Sequence, residues 1–248
     1  MQDKIFDEIN PSSLSRLIIT CEHGGAKVPF EYDNLGLSKS VLDTHIARDK
    51  GARETSVLLA EKLGCYAIIG KYSRLLVDLN RRENENELIL ECSDRVDVPK
   101  NKAISAEEKE KRLQKYYRPY YKALNDKIAQ IKARGKTPLL FSVHSFTPQL
   151  KGGDYRPWNA GILWHQPTKL GEFVYGELSK IESKTVGINV PYDLTKCNTG
   201  AVIICGEEKG FDYGLIEIRD DEFDNLSNGS QWWADRLADA LEKGIKDL

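Results

Sequence analysis

Two of the four histidines in this 248-residue chain close apolar runs that read as buried strands. "RLIITCEHGG" (Arg16 to Gly25) ends on Glu22 and His23 before two glycines, and "TPLLFSVHS" (Thr137 to Ser145) ends on His144. In a parallel sheet both rings reach the carboxyl edge, where open α/β sheets bind their ligands. Two imidazoles suit Zn²⁺, whose catalytic sites take three protein ligands and keep one position open. One Zn²⁺ ion is therefore expected on His23 and His144, with a carboxylate as third ligand. Asp49 is the choice, because it lies four residues after His45 and so on the same face of a helix; Glu22 and Asp43 are the alternatives.

Other residues add to this chemistry. In "YSRLLVDLNRR" (Tyr72 to Arg82) arginines stand at both ends of an apolar run, with Asp78 and Asn80 close by. Guanidinium groups such as Arg74 and Arg81 grip a carboxylate in a bidentate fork or stabilise a developing oxyanion. Asp78 is placed to orient one of them, although a solvated charge cluster also fits the spacing. "YGLIEIRDD" sets Glu217 inside an apolar run, where an unpaired carboxylate is costly. A partly desolvated glutamate acquires the raised pKa of a general base. Arg219, two residues on, shares its face and is available as its structural partner.

The elements that position these groups alternate along the chain. After the first strand, Ser38 to Gly64 carries helical spacing, loosened at Gly51. "CYAIIG" and "RLLVDLN" read as adjacent strands, and the charged stretch from Arg82 to Lys102 as a long loop of the kind that covers a pocket or meets a subunit. Ser105-x-x-Glu108 is a capping box that opens a helix from Ala106 to about Ala133, kinked at Pro119. Strand, helix, strand, an undefined segment at "TGAVIICG", strand and a closing helix follow. This order implies βαβ units and a mostly parallel sheet covered on both faces.

Composition limits the function classes. The formal charge of −2, without a basic stripe, argues against nucleic acid as a partner. No run of 18 apolar residues and no leader pattern at the amino terminus occur, so a soluble, cytoplasmic protein without a membrane partner is expected. No linker divides the chain, and 1–248 reads as a single domain. The five cysteines lack CxxC spacing and are expected to be reduced, with Cys21 packing in its strand rather than acting as a nucleophile. The oligomeric state stays open, a homo-oligomer included.

Taken together, "EHGG…VP", "HIARDKGA", "YSRLLVDLNR", "YYRPYY", "VHSFTP", "NVPYDL" and "IEIRDD" resemble, in order and spacing, the N-formylglutamate amidohydrolase family, from about Leu17 to Phe223. That family is related to zinc carboxypeptidases and the aspartoacylase group. The resemblance implies a three-layer α/β/α, phosphorylase/hydrolase-like fold and hydrolysis of the amide bond of a small N-acyl amino acid. It implies that His23 and His144 bind the metal and that Glu217 activates water. Asn80 and Arg81 match a pair that holds a substrate carboxylate, and Arg74 matches an arginine that polarises the scissile carbonyl; Arg219 is a further substrate-binding candidate. Related carboxypeptidases carry a glutamate ligand three residues after the first histidine, where this chain has Ala26. The stretch before Glu217 lacks the histidine many members carry, which leaves the substrate open. A peptidase or amidase acting on a larger peptide-like substrate and a non-catalytic metal- or carboxylate-binding module are the competing readings.

Overall fold

The computed structural model describes residues 4–246 and Leu248. Strands β1 (Phe6–Ile9), β2 (Leu17–Cys21) and β3 (Tyr66–Gly70) come first. A small hairpin, β4 (Cys92–Ser93) and β5 (Val96–Asp97), precedes β6 (Leu139–Phe146), β7 (Ala160–Leu163), β8 (Val186–Ile188) and β9 (Asp212–Arg219). The main sheet has seven strands in the order β1-β3-β2-β6-β9-β7-β8. Its centre, β3, β2, β6 and β9, is parallel; β1 joins β3 antiparallel at one edge, and β7 runs antiparallel to β9 with β8 parallel beside it. Every residue of β2 and β6 is buried, which is why both read as unbroken apolar runs and not as alternation.

The helices are α1 (Lys39–Leu42), α2 (Ala52–Leu63), α3 (Ala106–Arg112), α4 (Arg118–Ala133), α5 (Lys169–Leu178), α6 (Ala201–Cys205), α7 (Glu222–Asn225) and α8 (Gly229–Lys246). On one face α2 packs on β2, β3 and β6, α5 packs on β9 and β7, and α8 lies against both helices. Consecutive residues at the end of β2 point to opposite layers: Cys21 faces Ser56 of α2, whereas Glu22 accepts a hydrogen bond from Tyr120 of α4. The result is the expected α/β/α sandwich.

Five local differences from the sequence reading stand out. The stretch from Ser38 to Gly64 is two helices with a loop between them. Gly51 has φ +74°, and an added Cβ would lie 2.3 Å from the ring of Phe223, so the chain turns where a helix would have continued. The run Arg74 to Asn80 is a series of turns and no strand. Its carbonyls find side chains instead of a neighbouring strand: Asn101 donates to the Leu75 oxygen (2.7 Å) and buried Arg112 to that of Leu76 (3.1 Å). Pro119 has no N–H to give to Lys115, and the helix widens into a π-turn over Leu113–Tyr117, closed by the Arg118 N–H on the Leu113 oxygen. The undefined segment contains α6, and the amino-terminal stretch adds the edge strand β1.

Candidate metal centre

The end of β2 and the end of β6 deliver the two histidines side by side, with ring centroids 5.0 Å apart. The glycines after His23 have a steric reason. A Cβ on Gly25 would lie 2.1 Å from the Lys71 carbonyl oxygen, so only glycine lets the chain pass over the end of β3. Asp49 arrives by the loop and not by a helix face: its N–H donates to the His23 carbonyl (2.9 Å), and Ser73 Oγ secures the Ala47 carbonyl (3.0 Å). Asp49 Oδ2 stands 2.8 Å from His144 Nδ1 and 3.4 Å from His23 Nδ1. One ligand atom from each of the three buried residues lies within 4.8 Å of the others.

The other ring nitrogens are assigned by their neighbours. His23 Nε2 is 2.6 Å from Asp78 Oδ1, so the ring carries its proton on Nε2 and donates it in a hydrogen bond to the ionised carboxylate, which leaves a lone pair on Nδ1. Among the described residues that buried Nδ1 has no hydrogen-bond partner. His144 Nε2 lies 2.9 Å from Glu22 Oε2, within ion-pair range although off the line of a good hydrogen bond. Glu22 also accepts from Ser142 Oγ (2.8 Å) and the Tyr120 hydroxyl (2.9 Å). Burial alone would raise the Glu22 carboxyl; His144, Ser142 and Thr20 hold it down at about 2. For His23, burial and then the Arg74 cation lower the imidazole to about 4 against the pull of Asp78, leaving it neutral at pH 7, as a metal ligand must be. Two imidazole nitrogens and a carboxylate, each imidazole backed by a second carboxylate, form a donor set that fits Zn²⁺.

Glu22 therefore stands behind His144, and Asp43 is exposed at the end of α1, away from this cluster. Asp78, expected to orient an arginine, meets His23 and the Asn80 N–H (2.7 Å) instead. His45 pairs with Asp94 of the hairpin loop (3.2 Å), and His165 sits with Glu207 elsewhere (2.7 Å). Burial raises the Cys21 thiol far above its ordinary range, in keeping with packing.

Glu217 on β9 is in register with His144 on β6, and in a parallel ladder such neighbours project to the same side. Its Oε2 is buried without a hydrogen-bond partner, and burial raises its pKa. Arg74 enters from the turns after β3, pairs through Nη2 with Asp49 Oδ1, and keeps a buried Nε without a partner. Asn80 and Arg81 are engaged beside this centre: Asn80 Oδ1 accepts from the Ala201 N–H (3.3 Å), and Arg81 Nε donates to Glu87 (3.0 Å). Arg219 does not meet Glu217. Its Nε donates to Asp221 (2.7 Å) and its Nη1 to the carbonyls of Pro157 (3.1 Å) and Arg156 (3.3 Å).

A cavity of about 230 Å³ opens beside Asp49 and Arg74, walled by His45, Phe146, Leu150 and Tyr192. The loop from Arg82 to Lys102 contributes Ser93 and Asp94 to its rim, so that loop borders the pocket. Tyr192, on this wall, and Arg156, whose Nη1 donates to the Tyr192 hydroxyl, are the residues of this region that sequence reasoning misses. Tyr192 lay within the quoted "NVPYDL", but neither residue carries a periodic signal.

With fold and centre described, comparison with known proteins gives the class. Residues 15–223 match the N-formylglutamate amidohydrolase family, and the chain belongs to it. An N-formylglutamate deformylase of Pseudomonas aeruginosa is 30% identical over 115 residues, 41% of this chain and 43% of that protein, so the aligned stretch spans less than half of the relative. A crystal structure of a gene product from Agrobacterium tumefaciens superposes with a TM-score of 0.91 at 27% identity, covering 99% of this chain and 96% of the other. An N-formylglutamate amidohydrolase from Ralstonia eutropha shares the fold at a TM-score of 0.72 and 20% identity, over 97% of each chain. Among the described residues no helix is long and apolar enough to cross a membrane.

Proposed function

We propose that this protein hydrolyses the amide bond of a small N-acyl amino acid, with an N-formylglutamate-like compound as substrate and one Zn²⁺ held by His23, Asp49 and His144. The observation that carries the reading is the convergence of a partnerless Nδ1 of His23 on Asp49 and His144, with the partnerless Oε2 of Glu217 in register beside them. Family membership and the small cavity support the reaction class and the substrate size. When bound, the ion supplies a Lewis acid that brings the pKa of water to about 7.

The chain's own groups do the rest. Glu217, with its raised pKa, takes the proton of the attacking water at Oε2 and returns it to the leaving amine. Arg74, anchored on Asp49, turns its free Nε toward negative charge developing on the carbonyl oxygen, a contribution of about 3 kcal/mol in comparable sites. Phe146, Leu150 and Tyr192 restrict water in the cavity. The test is Glu217→Gln, which removes the base and keeps the shape. Zinc content should stay at the wild-type level while kcat falls about a thousandfold. Turnover within a few-fold of wild type would remove Glu217 from the mechanism.

A further inference from the structure

Four arginines that carry carboxylate partners contrast with Arg156. Arg74 is bound to Asp49, Arg81 to Glu87, Arg82 to Glu208 and Arg219 to Asp221. Arg156, on the loop between β6 and β7, has no carboxylate within ion-pair distance among the described residues. Its side-chain contacts are neutral: Nη1 donates to the Thr147 carbonyl and to the Tyr192 hydroxyl, both at 3.3 Å. The guanidinium lies 5.1 Å from the ring centroid of Tyr192 and 6.0 Å from that of Phe146, and Phe146, Thr147 and Tyr192 all line the cavity beside Asp49. The charge of Arg156 acts on Tyr192 and His45, which line that cavity, and on the buried Glu217.

The main chain that carries Arg156 is braced. Its N–H donates to the Pro148 carbonyl (2.8 Å), and buried Arg219 holds the carbonyls of Arg156 and Pro157. A half-buried guanidinium set against two aromatic rings, on a fixed backbone and without a counter-ion among the described residues, is preorganised for an anionic ligand.

We infer that Arg156 is the specificity-determining residue that binds a carboxylate of the substrate's amino-acid part, with Tyr192 beside it and Arg219 as its positioning residue. The substrate class narrows accordingly to N-acyl amino acids with a free carboxylate within reach of the scissile amide. Asn80 Oδ1 is engaged by the Ala201 N–H and Arg81 Nε by the exposed Glu87, which leaves Asn80 Nδ2 and Arg81 Nη2 for a second contact with the same substrate. The inference rests on the proposed hydrolysis for the choice of substrate, and binding is measured alongside turnover for that reason.

The experiment compares wild type, Arg156→Gln and Arg156→Lys, all zinc-loaded. N-formylglutamate, its α-monoamide and its γ-monoamide serve as substrates, and L-glutamate as the calorimetric ligand. Arg156→Gln should lower kcat/KM for N-formylglutamate about 100-fold, mainly through KM, and weaken L-glutamate to a similar degree. For the monoamide that lacks the anchored carboxylate, the same substitution should change kcat/KM by about threefold or less, which identifies that carboxylate. Arg156→Lys should recover part of the loss, because it restores charge without the fork. Equal losses on all three substrates, or none, would overturn the assignment. If wild type binds L-glutamate through Arg156 yet hydrolyses nothing, the hydrolytic reading falls and the carboxylate site stands; if wild type binds neither L-glutamate nor N-formylglutamate, the carboxylate site falls.

Discussion

Each of the two histidines of the candidate centre has a carboxylate at Nε2, Asp78 for His23 and Glu22 for His144. The arrangement fixes the tautomer of His23 and makes its Nδ1 a better donor. Asp78→Asn keeps the size of the side chain but removes its charge, so zinc affinity should fall about tenfold, the low end of what such outer carboxylates contribute. Competition against a chromogenic chelator measures it, and an unchanged affinity would mean that Asp78 serves only the turn at Asn80. The histidines and Glu217 were legible in the sequence because each interrupts or ends an apolar run, where a polar group is conspicuous. Asp78 was visible as a residue but not in its role, since its partner is 55 positions away. Arg156 was not legible at all: an arginine in an aperiodic loop looks like any solvated charge until its neighbours are known.

At the scale of elements, loops between the strands do the positioning. Asp49 was selected on helical spacing from His45, yet no helix joins the two, and the loop ending at Gly51 carries Asp49 to His23. Gly51 is left-handed and its Cβ position is filled by Phe223, whereas Gly64, at φ +55°, faces open space. A left-handed alanine costs about 1–2 kcal/mol by itself. Gly64→Ala should therefore lose about 1 kcal/mol, and Gly51→Ala at least about 2 kcal/mol because a contact must also give way. Urea unfolding of the two variants measures this, and equal losses would show that Phe223 yields without cost. The central strands were readable because a strand buried on both faces is continuously apolar. Arg74 to Asn80 misled for a related reason: Leu75, Leu76, Val77 and Leu79 are all buried, but their backbone is satisfied by Asn101, Arg112 and turns. Apolar content reports burial and cannot report which group completes the hydrogen bonds.

At the scale of the molecule, the sheet order places the ends of β2, β6 and β9 next to each other, so residues from distant parts of the chain share one carboxyl edge. Loops from both sides of that edge then close a small cavity over it, with the β4–β5 hairpin on one rim and Tyr192 on another. This geometry is the basis of the proposed reaction on a compact substrate beside a metal ion. The most direct measurement is primary-amine release from a panel of N-formyl and N-acetyl amino acids and short peptides, using chelator-stripped protein with and without restored Zn²⁺. Zinc-dependent release confined to small N-acyl amino acids with a free carboxylate, strongest for an N-formylglutamate-like member, is the predicted result. Release that persists undiminished without zinc, or none across the panel after zinc is restored, would contradict it.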